Sequence, residues 1–201
     1  MKKPGFERAE KIFFYNGGML PTSAALNLGI HPATLYAMEK AGILKKLSRG
    51  LFRLSDLPPL EQPDLVAISI KAPKAVVCLA SALHFHGLSA QAPDQIHLAL
   101  KRGMEPPRLS GLSVRRFWFS PFAFNDGIET YEMDGARVRI YGPEKTLADC
   151  FKYRNKLGLD LALEALKRYR DRGAINRAEL MRYAQICRVQ KVMQPYLEAI
   201  L

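Results

Sequence analysis

Apolar positions between residues 22 and 56 recur first at helical spacing and then at strand spacing. A helix is predicted to begin at Thr22, whose hydroxyl can cap it, and to end at Gly29, which tolerates the left-handed backbone of a helix terminus. A second helix is predicted from Pro32, which suits the first helical position, up to Gly42. Two short helices joined by a tight turn are the pattern of a helix-turn-helix.

The second predicted helix has one apolar side. Leu35 and Met38 share that side and are predicted to face a core. The residues on the other side are small or polar, so this side could enter a major groove and contact base edges or phosphates. The candidate contacts of the two helices are Thr22, Ser23, His31, Ala33, Thr34, Tyr36, Ala37 and Lys40.

A basic β-hairpin follows the helices. Its predicted strands are residues 44–47 and 51–54, and its predicted turn is Ser48-Arg49-Gly50. Four cations make the hairpin a positively charged arm, as in the wing of a winged helix-turn-helix. The candidate contacts of the hairpin are Lys45, Lys46, Ser48, Arg49 and Arg53.

Upstream, residues 6–16 carry Ile12, Phe13 and Tyr15 at helical spacing and are predicted to complete a three-helix core. Winged helices also dock other proteins, and a Lys/Arg cluster can be only a solvated face. Charge favours a polyanion: residues 1–60 hold nine Lys and Arg against four Asp and Glu, a net of +5. Double-stranded DNA is therefore the predicted partner.

The composition is that of an ordinary globular protein except for its charge. The chain has 201 residues and a formal net charge of +11, which indicates an acidic partner, with nucleic acid ahead of a membrane surface. The longest apolar run, residues 75–83, is about half the ~20 residues that cross a bilayer. Met1-Lys2-Lys3 is followed by Pro4 and Gly5 rather than by an apolar segment, so no signal peptide is predicted and a cytoplasmic location is expected.

Three cysteines, Cys78, Cys150 and Cys187, form no CxxC pair, and an odd number cannot be a closed disulfide framework. We expect them to be buried thiols, as is usual in a reducing compartment.

Prolines 58, 59 and 63 favour an extended connector after the hairpin. We therefore predict a winged helix-turn-helix domain at residues 1–60 and a second domain at 64–201. In the second domain the apolar period changes from helix to strand and back to helix. The predicted helices are residues 64–70, 75–85, 144–155, 160–170, one capped by Asn176 and Glu179, and a last one interrupted near Pro195; the predicted strands are 95–100, 113–119, 128–133 and 136–141.

Met133-Asp134-Gly135-Ala136 carries a strong hairpin signal between the last two strands. The predicted fold class is α+β: an N-terminal winged helix-turn-helix followed by an α+β domain with a small, mainly antiparallel sheet.

Three ordered blocks carry a resemblance to a known family: LYAMEKAGILKKLSRGLFRLSD, then VVCLASALHFHGLSAQAP, then RVRIYGPEKTLADCFKYRNKLG with the LALEALKRY helix. The chain resembles the AbiEi-type antitoxins of bacterial type IV toxin-antitoxin and abortive-infection systems over nearly its whole length. The resemblance implies an N-terminal domain that represses its own operon at inverted repeats. It also implies a C-terminal domain that counteracts a nucleotidyltransferase-like toxin, with direct binding to the toxin not required. Only the recognition helix, residues 31–41, and the wing, residues 45–53, are carried over.

Enzyme chemistry has little support in the sequence. His84 and His86 would diverge by about 200° around a helix and so cannot share a metal ion. The glycines are dispersed, so no phosphate loop is predicted. The pairs Glu144-Lys145 and Asp149 with Lys152 lie on one predicted helix, where such pairs are normally on the surface. We expect no catalytic activity, metal or cofactor.

The second domain is also basic, with 21 Lys and Arg against 15 Asp and Glu in residues 61–201. Arg115 and Arg116 next to Phe117 and Trp118 fit a nucleic-acid surface and, equally well, a sheet edge protected by charge. The residues of this possible C-terminal basic surface are Lys101, Arg102, Arg115, Arg116, Lys167 and Arg168.

The leading functional prediction is a DNA-binding autorepressor and antitoxin. The alternatives are a stand-alone winged-helix regulator, whose second domain binds a ligand or a protein, and a nucleic-acid-processing enzyme.

Overall fold

The structure, a computed structural model, describes residues 4–173 and 175–200. Lys2 and Lys3, which count toward the N-terminal charge, and Met1 lie outside these residues. The chain divides into two compact units. The first unit extends to Pro73 and includes residues 107–112 and 132–137, and the second contains the remaining segments from Lys74 onward. The α+β fold class is confirmed.

The first unit contains helices around a three-stranded sheet. Strand β3 lies in the middle of this sheet and pairs antiparallel with β1 and β2. The sequence missed β1, because three residues ending in proline give no alternating pattern. The elements are α1 (Pro4–Tyr15), β1 (Met19–Pro21), α2 (Thr22–Asn27), α3 (Pro32–Lys40), β2 (Leu44–Ser48), β3 (Leu51–Leu54) and α4 (Pro63–Lys71).

The core of the winged helix-turn-helix is built as the apolar pattern predicts, with Phe13, Leu35 and Met38 fully buried. Two large apolar residues at helix ends are exposed instead: Tyr15, which was predicted to complete the core, by 81%, and Leu28, by 42%. Both lie at the last turn of a short helix, where the chain turns away from the core. The apolar pattern alone does not show this change of direction.

The first unit is larger than the predicted domain of residues 1–60. Helix α4, which was predicted to begin the second domain, belongs to it. Its residue Val66 is fully buried in a small cluster with Met19 and Ala136. Residues distant in sequence thus complete this unit, which a pattern read along the chain cannot show.

The second unit is built around a five-stranded sheet in the order β6-β5-β4-β8-β7. The sheet is mixed rather than mainly antiparallel, because β5 and β6, and likewise β4 and β8, are parallel. The connection between β5 and β6 contains no helix, so the crossover gave no signal in the sequence. The elements are β4 (Val76–Val77), α5 (Leu79–Phe85), β5 (Ile96–Lys101), β6 (Val114–Phe119), α6 (Pro121–Asn125), β7 (Ile128–Met133), β8 (Ala136–Tyr141), α7 (Pro143–Lys152), α8 (Arg154–Leu157), α9 (Leu159–Asp171), α10 (Arg177–Ile186) and α11 (Gln190–Ile200).

The helix predicted at residues 75–85 begins only at Leu79. Val76 and Val77 pair with β5 instead, because two β-branched residues fit an extended backbone better than a helix. The turn between β7 and β8 follows the sequence, since Asp134 and Gly135 both have positive φ, at 49° and 78°. Asn176 caps α10 by accepting a bond from the Glu179 amide at 3.1 Å, as predicted.

A buried ion pair lies at the centre of the second unit. Lys145 and Asp149, one turn apart on α7, are both fully buried and bonded to each other through Nζ and Oδ2. The other carboxylate oxygen of Asp149 accepts a bond from Cys187 Sγ at 3.1 Å. The sequence analysis paired Lys145 with Glu144 and Asp149 with Lys152 and expected both pairs on the surface, which is wrong for the buried Lys145 and Asp149. The reason is that α5, α9 and α10 all pack against α7.

All three cysteines are free and buried, which confirms the expectation from their spacing. Burial raises the pKa of each thiol above its ordinary value, and the negative charge of Asp149 adds to this effect. The thiols are therefore protonated at neutral pH.

Candidate nucleic-acid interface

Helix α3 begins with a well-formed cap. His31 precedes it in extended conformation, and its Nδ1 accepts a bond from the Ala33 amide at 3.2 Å. Pro32 occupies the first helical position. The histidine therefore holds the start of the candidate recognition helix in place.

The orientation of α3 agrees with the sequence prediction. Leu35 and Met38 are fully buried, whereas the opposite side faces solvent. Tyr36 is 57% exposed and contacts the edge of the Phe52 ring, with 6.1 Å between centroids. This edge-to-face contact with Phe52 leaves more than half of Tyr36 exposed. The exposed residues of this surface are His31, Ala33, Tyr36, Ala37 and Lys40, with Thr34 half-buried beside them.

The wing presents two consecutive lysines to solvent. Neighbouring strand residues normally point to opposite faces. Lys45 and Lys46 are both exposed, and the register between β2 and β3 shifts immediately after Lys46. A bulge of this kind bends the strand and redirects its side chains. Arg49, at the turn, is exposed as well.

Two candidate residues of the wing do not belong to this surface. Arg53 is buried, and its guanidinium donates to the carbonyls of Leu57, at 3.2 Å, and Pro58. Ser48 is buried too. The reason for Arg53 is its place in β3, the central strand, all four residues of which are buried. Arg53 secures the connector that follows the wing rather than contributing charge to its surface.

The tip of the wing is attached to the start of the helix-turn-helix. The amide of Thr22 donates to the carbonyl of Gly50 at 2.9 Å. Gly50 occupies the turn of the wing with a φ of 77°. Thr22 is thus the first residue of α2 and not its cap, a position taken by Pro21. Ser23, the next residue, is exposed.

A cation that the sequence does not assign to the wing lies beside it. Lys71, on α4, donates to the carbonyl of Arg49 at 2.9 Å. Burial, and then the positive charge of Arg49, lower the pKa of Lys71. Only the fold brings Lys71 to the wing, since 22 residues separate it from Arg49.

The exposed cations of α3 and the wing are not neutralised within the protein. Across the described residues, no ion pair joins Lys40, Lys45, Lys46 or Arg49 to a carboxylate. Their charges are therefore available to an anionic partner. We name the exposed side of α3 together with Lys45, Lys46 and Arg49 the helix-wing surface.

The six basic candidates of the second unit lie in three separate places along the fold. Lys101 ends β5 and Arg102 follows it, Arg115 and Arg116 lie on β6, and the last two lie on α9. Arg168 is paired with Glu164 at 2.8 Å, while Lys167 is exposed. Because β6 is an edge strand, its arginines have the position that protects a sheet edge.

His97 lies buried beside β6, where its ring contacts Phe117. Burial, and then the positive charge of Arg115, lower the pKa of His97 to about 4. The ring is therefore neutral at physiological pH. His97 is therefore a neutral core residue and adds no charge to that of Arg115 and Arg116.

Neither a metal cluster nor a membrane-spanning helix is found among the described residues. The described part of the chain contains no cluster of three or more His, Cys, Asp or Glu placed to hold a metal ion. His86 bonds through Nε2 to the Tyr141 carbonyl at 2.8 Å, while His84 is exposed. Within the same residues, every helix is too short or too polar to span a bilayer.

Comparison with known proteins supports the fold. No protein-family model and no curated protein matches the sequence. Among solved structures, the chain is similar to the crystal structure of the RV2827C protein from Mycobacterium tuberculosis, with a TM-score of 0.63 and 12% sequence identity. The match covers 98% of this chain and 82% of that one. The shared architecture thus extends over both units, and at this identity it concerns the fold alone.

Proposed function

We propose that this protein is a DNA-binding autorepressor and antitoxin of the AbiEi type, which acts in a bacterial type IV toxin-antitoxin system. The observation that carries the proposal is the helix-wing surface, in which the exposed side of a helix-turn-helix lies on the same small fold as three unpaired cations. The resemblance of three ordered sequence blocks to the AbiEi family supports the antitoxin role.

In this proposal α3 enters the major groove of an operator made of inverted repeats. Ala33 and Ala37 have small side chains, so they allow the helix backbone to approach the bases closely. Tyr36 is free to reach a base edge or a phosphate. Arg49, at the tip of the wing, contacts phosphate or the adjacent minor groove.

The second unit is proposed to supply the antitoxin activity against a nucleotidyltransferase-like toxin, without necessarily binding it. We propose a cytoplasmic protein that is not an enzyme and needs no cofactor. The charged pair Lys145–Asp149 of α7 lies inside the core of this unit, and neither side chain is accessible to solvent. This burial supports a structural role for the pair.

The wing should account for a non-specific part of the affinity. Replacing Lys46 and Arg49 together by alanine removes two phosphate contacts, so operator and random DNA should both bind more weakly. The slope of log affinity against log salt should fall by about one to two units. Binding measured at four salt concentrations tests this prediction. Arg53→Ala is not a suitable control, because Arg53 has a structural role. An unchanged slope would show that the wing does not contact DNA.

Repression and protection should be separable in the full chain. Ala37→Glu places a carboxylate on the groove-facing side of α3, so it should weaken operator binding at least about tenfold and leave the second unit intact. When it is expressed with the product of the adjacent reading frame, from a promoter that this protein does not control, cells should survive as well as with the wild type. Loss of protection by this variant would mean that protection depends on DNA binding.

A further inference from the structure

The tip of the wing is held by two segments that come later in the sequence. Lys71, on α4, donates from Nζ to the carbonyl of Arg49 at 2.9 Å and, more weakly, to the carbonyl of Ser110 at 3.5 Å. This one side chain thus links the wing to residues 107–112, which belong to the first unit although they lie between β5 and β6 in the sequence. Helix α4 also packs against β2, the first strand of the wing.

The segment of residues 107–112 reaches the tip itself. A Cβ added to Gly111 would lie 3.7 Å from the amide nitrogen of Arg49, which is ordinary van der Waals contact. Ser48, the residue before Arg49, is buried. The backbone of the tip is therefore packed against its own unit, whereas Arg49 remains exposed.

Packing of this kind matters for a cation at a hairpin tip. Exposed loop tips are generally mobile, because few buried contacts hold them. A mobile side chain loses conformational entropy when a partner immobilises it, and this loss lowers the affinity. Holding the backbone at Arg49 before binding removes part of that loss.

We propose that Lys71 is a positioning residue of the DNA-binding surface, which holds the wing tip so that Arg49 meets phosphate or the minor groove. The inference rests on the proposed function, because it takes the wing to contact DNA. Lys71 acts through the Arg49 carbonyl without itself contacting DNA. A direct contact between Lys71 and phosphate would give a different result in a double-mutant cycle.

The first measurement needs no DNA. Nitrogen-15 relaxation of the full-length protein gives the backbone order parameters of Arg49 and Gly50, which should be about 0.85 in the wild type, the value of a rigid backbone. Lys71→Met should lower both toward about 0.6, while methionine, a good helix former, preserves α4. Lys71→Arg keeps hydrogen-bond donors on a long stem and should keep the rigid value. Unchanged order parameters in Lys71→Met would overturn the proposal.

The second measurement is a double-mutant cycle on operator and random duplexes. Lys71→Met should weaken both complexes about fivefold, within the range of one hydrogen bond. In the Arg49→Ala protein, the same substitution should weaken them less than about twofold, because the residue that Lys71 positions is gone. Lys71→Arg should retain most of the affinity. Lys11→Met removes the same charge from an exposed position of α1 and should have no effect.

The outcomes separate this role from the proposed function. Equal weakening by Lys71→Met with and without Arg49 would assign Lys71 its own phosphate contact and overturn the positioning role. Equal weakening by Lys11→Met would attribute the effect to overall charge and overturn it as well. Normal DNA binding that Lys71→Met leaves unchanged would overturn this role alone, whereas a wild-type protein that binds neither duplex would overturn the proposed function with it.

Discussion

Replacing Lys145 by methionine should destabilise the second unit by about 3–5 kcal/mol, because it leaves the Asp149 carboxylate buried without a counter-charge. Methionine has nearly the length of lysine, so the loss reflects charge more than volume. The lysine also lies over the Tyr141 ring, with 4.3 Å from Nζ to its centre, and against Gly127, where an added Cβ would lie 2.8 Å from the lysine stem. Denaturant unfolding, followed by far-ultraviolet circular dichroism, measures the change.

Helix α9 of the same unit offers a matched control. Arg168 and Glu164 form an exposed pair, also four residues apart, and Arg168→Met should cost less than about 1 kcal/mol. Adding Asp149→Leu to Lys145→Met should recover most of the lost stability, since no buried charge remains. If Lys145→Met were no more destabilising than Arg168→Met, the Lys145 side chain would have to reach water in the folded protein. That result would contradict the packing of α7.

Ala37→Glu should reduce the affinity of the full-length protein for its operator at least about tenfold, because the new carboxylate faces the phosphates and base edges of the groove. Ala37 is exposed on α3, and both residue types favour helices, so folding should be little affected. Binding is measured by fluorescence anisotropy, and thermal unfolding checks the fold.

The control for this variant is Ala178→Glu, the same substitution at an exposed position of α10. It changes the net charge equally and should leave operator affinity nearly unchanged. Equal weakening by both variants would attribute the effect to overall charge. No weakening by Ala37→Glu would mean that this side of α3 does not face DNA.

The sequence predicted the helix-turn-helix well because its signals are local. Pro32 starts α3, and the spacing of Leu35 and Met38 determines which side is buried. Residues within one helix suffice to decide both. For the same reason, the outward side of α3 could be named before its surroundings were known.

Features that depend on distant parts of the chain could not be predicted. In the sequence, Arg53 looks like another cation of the wing. Only its hydrogen bonds to the carbonyls of Leu57 and Pro58 show that it is a buried residue that holds the following connector. Lys145 and Asp149 have a spacing common on protein surfaces, and they are buried because three other helices enclose α7. The one local hint was that residues 145–151 include apolar positions on more than one side of that helix.

The most direct test of the account is the specificity of the full-length protein for DNA. Its equilibrium affinity for the duplex immediately upstream of its own operon is compared, at physiological salt, with its affinity for a shuffled duplex of the same length and composition. A specific repressor should bind the upstream duplex at least about 10³-fold more tightly. Equal affinity for the two duplexes would contradict the proposal that the helix-wing surface recognises an operator.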